Sequence, residues 1–78
     1  MQIHIGSLIR SELRRQKHTN EWLMERIGVS ERTLQRLFNK PSIDTQQLFL
    51  ICQALGTDLF MFYSDALHTR QKLSPDSI

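Results

Sequence analysis

Apolar residues recur along this chain at helical spacing, and no stretch alternates with the period of two that a half-buried strand requires. The first pattern predicts a helix from about Ile5 to Gln16. Ile5, Ile9 and Leu13 recur every four residues with Leu8 beside them, while Arg10, Arg14, Arg15 and Lys17 fall on the other faces. The second runs from about Asn20 to Ile27. Thr19 or Asn20 is placed to cap it, and Leu23 and Ile27 mark its inner side. Gly28 follows at once, where a chain leaving a helix often needs a left-handed backbone. The third begins at the cap Ser30 and reaches about Asn39 before Pro41 stops it. Leu34, Leu37 and Phe38 form its apolar stripe, and Arg32, Gln35 and Arg36 lie outside.

The fourth pattern starts at Asp44 with Gln47 as capping-box partner and ends at Gly56. Leu48, Ile51, Cys52 and Leu55 give its inner face. Phe49 and Leu50 widen that face, so this helix is expected to be the most buried. Asp58 opens a short fifth helix through Leu59 and Phe62, extending as far as Leu67. The reading is a five-helix, all-α domain over residues 1–67, followed by a flexible polar tail over 68–78.

Composition narrows this further. At 78 residues the chain accommodates one small domain. Its 40% hydrophobic content is too high for a disordered chain. One cysteine, Cys52, excludes an internal disulfide framework, and its place on the apolar face of the fourth pattern reads as a buried, inert thiol. The longest apolar runs, Leu48–Cys52 and Leu59–Tyr63, fall far short of the roughly 20 residues of a membrane span. The N-terminus lacks the basic start and apolar stretch of a signal peptide, so a cytoplasmic, nucleoid-associated protein without a membrane partner is expected.

The net charge of +2 hides an asymmetry. Residues 1–40 hold Arg10, Arg14, Arg15, Lys17, Arg26, Arg32, Arg36 and Lys40 against Glu12, Glu21, Glu25 and Glu31, a balance of +4. Residues 41–78 hold Arg70 and Lys72 against Asp44, Asp58, Asp65 and Asp76, a balance of −2. A basic half on a mildly acidic remainder points to a polyanion on one face. Catalysis finds no support. His4, His18 and His68 have no ligand spacing to one another or to an acid pair, and Gly6, Gly28 and Gly56 are isolated rather than clustered in a phosphate loop. No catalytic residue, metal site or cofactor is expected.

Two helices joined by a tight glycine-containing turn, the second Ser-capped and externally basic, form a helix-turn-helix pattern over about 20–39. In such a pair the first helix braces the second, which lies in the DNA major groove. Residues 20–39 resemble the helix-turn-helix of the lambda repressor/Cro (XRE-type) group. The resemblance rests on Leu23 and Ile27 in the bracing helix, Gly28-Val29-Ser30 at the turn, and Leu34 and Leu37 in the recognition helix. It extends through Ile43-Asp44-Thr45, Leu48, Ile51 and Ala54-Leu55-Gly56 to Asp58-Leu59-Phe60, covering about residues 6–63. Met24 stands where that family usually has Ala, Asn20 where it often has Gln, and Glu31 where Gln, Arg or Ser is common. Residues 30–38 also resemble the helix-turn-helix of AraC-type regulators, but the Gly-x-Ser-Pro continuation of that family is missing.

The resemblance implies a lambda repressor-like fold and a transcriptional regulator that binds double-stranded DNA in sequence-specific fashion through a helix over about 30–39. Glu31, Arg32, Gln35 and Arg36 are the expected base readers. Arg reads guanine, Gln reads adenine, and a carboxylate accepts from a cytosine amino group. Lys17, Asn20, Ser30, Thr33, Asn39 and Lys40 are the expected phosphate contacts. Trp22 should lie at the edge of the second helix, where it either covers the first or marks a contact with another chain. Five consecutive apolar residues, 59–63, cannot all face one core. Leu59 and Phe62 are expected inside, and Phe60, Met61 and Tyr63 are candidate homodimer or partner contacts. A two-fold operator would require such a dimer. A rival reading is a protein-interaction module, such as the antitoxin of a toxin–antitoxin pair. It draws on the same aromatics, the low net charge and Glu31.

Overall fold

A computed structural model describes residues 3–73, with side chains described over 3–68. The helices are α1 (Ile5–Arg15), α2 (Asn20–Ile27), α3 (Glu31–Phe38), α4 (Thr45–Leu55) and α5 (Met61–Leu73). The described residues contain no strand, so the chain is all-α there. Each of the first four helices starts at a side chain that accepts an amide of its own first turn. Ser30 and Asp44 do this as their sequence positions require, and Thr19 rather than Asn20 caps α2. His4 caps α1 through its ring nitrogen, which accepts the Ser7 N–H at 3.1 Å.

The core joins α1 to α4. Ile5, Ile9, Leu13, Leu23, Leu34, Leu37, Phe38, Leu48, Ile51, Leu55 and Leu59 are each at most 5% exposed. Burial of each such side chain contributes about 1.5–3 kcal/mol. α4 departs from expectation. Leu48, Ile51 and Leu55 point inward, but Phe49 is 52% and Leu50 47% exposed. Consecutive residues on a helix are turned by about 100°, so these two follow Leu48 out of the core. Cys52 is half-buried rather than buried, and its Sγ accepts the Leu59 N–H at 3.4 Å.

The fifth helix also differs. Asp58 takes the Phe60 N–H at 3.1 Å, which holds residues 59–60 in a turn, and α5 begins at Met61. It continues to Leu73, through six residues expected to belong to the tail; residues 74–78 lie outside the described residues. Leu59 is buried as expected, whereas Phe62 is only half-buried.

Two contacts fix α1. Its Ile5 and Gly6 amides donate to the carbonyls of Pro41 and Lys40, both at 2.9 Å. Gly6 is buried there, and a Cβ on it would stand 2.4 Å from the Leu37 and Phe38 carbonyl oxygens. At the other end, Glu12 accepts from Gln16 at 2.7 Å, from the Thr57 hydroxyl at 2.8 Å and from Arg15 Nε at 2.9 Å. Gln16 also donates to the Leu55 carbonyl at 2.8 Å, which ties the end of α1 to the end of α4.

These contacts generate two predictions. Gly6→Ala should lower stability by about 1–3 kcal/mol in denaturant titration, whereas Ser11→Ala on the exposed side should change it by less than about 0.5 kcal/mol. The second concerns acid. Hydrogen bonds from Arg15 and Gln16 hold the Glu12 carboxyl down at about 2, against 4.5 for the free group. A depressed carboxyl contributes stability that is complete above about pH 4.5 and is lost as pH falls toward 2. Glu12→Gln should therefore flatten the decline of melting temperature across that window.

Candidate nucleic-acid interface

The chain reverses between α2 and α3 in three residues. Gly28 adopts the left-handed backbone at φ 68°, which costs glycine little. The amides of Gly28 and Val29 both donate to the Met24 carbonyl, at 2.8 and 3.1 Å, and close the end of α2. Ser30 then opens α3. The Met24 side chain, larger than the Ala usual at its position, is half-buried and lines a shallow groove with Glu21, Glu25, Gly28 and Val29. Leu23 is fully buried beneath this turn, and Ile27 and Val29 pack against the core.

α3 is sharply two-sided. Leu34, Leu37 and Phe38 face the core, while Glu31, Arg32, Thr33, Gln35, Arg36 and Asn39 are exposed. Among the described residues, the side chains of Arg32, Gln35 and Arg36 make no hydrogen bond or ion pair. Ser30 and Thr33 are engaged with each other: Thr33 N–H donates to Ser30 Oγ at 3.3 Å, and the two hydroxyls lie 3.1 Å apart. Asn39 donates its side-chain amide to the Gln35 carbonyl at 3.1 Å and so completes the end of α3. Glu31 occupies the first turn, where a carboxylate complements the positive end of the helix dipole.

The remaining expected phosphate contacts surround this face. Lys40 is exposed directly after α3, and its carbonyl is held by Gly6. Asn20 is half-buried as the first residue of α2. Lys17 is exposed and adopts φ 63°, a left-handed conformation in a residue other than glycine. Its N–H donates to the Arg14 carbonyl at 2.9 Å and the His18 N–H to the Leu13 carbonyl at 3.2 Å. This is a Schellman closure with lysine where glycine is usual. Sequence spacing offered no signal for it.

Trp22 sits at the edge of α2 in a three-layer stack that the spacing did not reveal. The His18 ring lies parallel to the indole at 3.6 Å, and the Arg26 guanidinium covers it at 4.8 Å. Trp22 and Arg26 are four residues apart on one side of α2, and His18 reaches the indole from just before the helix cap. Of the candidate dimer contacts, Met61 is 46% and Tyr63 39% exposed, whereas Phe60 is half-buried against the core.

Among the described residues, no group of three or more His, Cys, Asp or Glu is placed to hold a metal ion, and no helix is long and apolar enough to cross a membrane. Compared with known proteins, the chain matches no family model, no curated protein and no solved structure.

The position of α3 depends on its cap. Ser30→Ala should lower stability by about 1 kcal/mol and speed hydrogen exchange at the Thr33 amide ahead of the rest of α3.

Proposed function

We propose that this chain is a sequence-specific double-stranded-DNA-binding protein, a transcriptional regulator of the lambda repressor-like class that acts as a dimer. The observation that carries the reading is the two-sided α3. Its inner face is locked by three buried apolar side chains, and Arg32, Gln35 and Arg36 project outward with their donors and acceptors uncommitted. An α-helix presenting such groups fits the major groove, where Arg forms paired hydrogen bonds with guanine and Gln with adenine. The tight Gly28–Ser30 connection supports the same reading, because it seats α3 on the rigid α2 brace. The Ser30–Thr33 pair, the Asn39 amide and Lys40 flank α3 as backbone contacts. Met61 and Tyr63 supply exposed apolar surface for a second copy.

Affinity should come from phosphate neutralisation and discrimination from α3. In selection from a random duplex pool, the protein should recover a defined palindrome. Arg36→Ala should weaken binding by about 1–3 kcal/mol for each half-site of that palindrome and relax its sequence preference at one position of each. Absence of binding to any duplex at low salt would sink the reading. A tight stoichiometric protein partner, insensitive to Arg32 and Arg36 substitutions, would favour the antitoxin-like alternative.

A further inference from the structure

α1 carries a basic side that α3 does not account for. Arg10 and Arg14 are exposed one turn apart, and Lys17 stands at the end of the same helix with its N–H on the Arg14 carbonyl. Arg15, next to them in sequence, is different. It is paired with Glu12, so its charge is already answered within the chain. The charges on this side are not isolated from α3. The Arg10 guanidinium lies 5.9 Å from the centre of the Phe38 ring, within the range of a cation–π contact with the end of α3. The Gly6–Lys40 backbone bond holds Lys40 against the first turn of the same helix.

A second observation is conformational. Lys17 holds a left-handed backbone at a helix end where glycine would be unstrained. Strain of this kind points from geometry to a role for the side chain.

We propose that Arg10, Arg14 and Lys17 form a phosphate-binding track that grips the DNA backbone beside the groove entered by α3. The inference rests on the DNA-binding reading and adds a second element to its interface. Arg10 and Arg14 stand about 6 Å apart along α1 at the helical rise, and Lys17 follows just beyond the helix end. Cations of this kind contact phosphates and read no sequence.

The test uses the full chain and a short mixed-sequence DNA duplex, with affinity measured between about 50 and 200 mM salt. Replacing Arg10, Arg14 and Lys17 together by Gln should lower affinity at least tenfold at the lower salt. It should also reduce the slope of log affinity against log salt by about 2–3, since each lost phosphate contact removes about 0.9. Sequence preference should stay unchanged. Lys17→Gly separates binding from folding. It should raise the melting temperature by about 3–5 °C as the strain is relieved, and still reduce the salt slope by about 1. A triple variant that melts lower but keeps the wild-type slope would overturn the track and leave α3 as the DNA-binding element. A wild-type protein that binds no duplex would overturn both.

Discussion

The fold turns on a contact that has no room for a side chain. Gly6 brings the first turn of α1 onto the last carbonyls of α3, and the Ile5 and Gly6 amides bond to the carbonyls of Pro41 and Lys40 just beyond it. Those amides are free donors of a helix start, and the carbonyls of the segment just beyond α3 satisfy them. The consequence reaches the whole of α3: its N-terminal end is set by the Gly28–Ser30 turn from α2, and its C-terminal end by α1. Between these anchors Leu34, Leu37 and Phe38 fill the core, and rotation of α3 about its axis is blocked. The polar face therefore stands in one orientation, which groove recognition requires.

Electrostatics divide the basic half into charges that fold the chain and charges left over. Arg15 belongs to the Glu12 network that joins α1 to the segment after α4. Arg26 covers Trp22, whose other face is stacked on His18. Arg32, Arg36, Lys17 and Lys40 have no such partners among the described residues, and Arg10 and Arg14 lie along the same helix as Lys17. The net charge of +2 therefore understates what one side of the molecule can offer a polyanion. It also limits a single copy to few phosphates, which is the physical reason for proposing a dimer.

Much of the architecture was legible in the chain because local signals agree with one another. Ser30 and Asp44 are both caps and both precede apolar stripes, and Gly28 and Gly56 stand where left-handed backbone closes a helix. What was hidden depends on tertiary geometry. Phe49 and Leu50 look like core in a row of apolar letters, yet they are exposed while Leu48, Ile51 and Leu55 are buried. The start of α5 moved to Met61 because Asp58 closes a turn instead of capping the helix. Lys17 gave no warning of its left-handed backbone, since lysine carries no turn signal. The exposed residues of α3 were readable from spacing alone. The outer basic residues of α1 were readable too, but their link to α3 was not, because it runs through Arg10 over Phe38.

In the proposed complex α3, flanked by the basic side of α1, is the surface that meets DNA. Amide chemical-shift mapping during titration with the selected duplex tests it most directly. Perturbations should concentrate over residues 30–40 and 10–17, with the outer face of α4 around Phe49 and Leu50 unchanged. Perturbations centred on α4 and α5, with residues 30–40 silent, would contradict it.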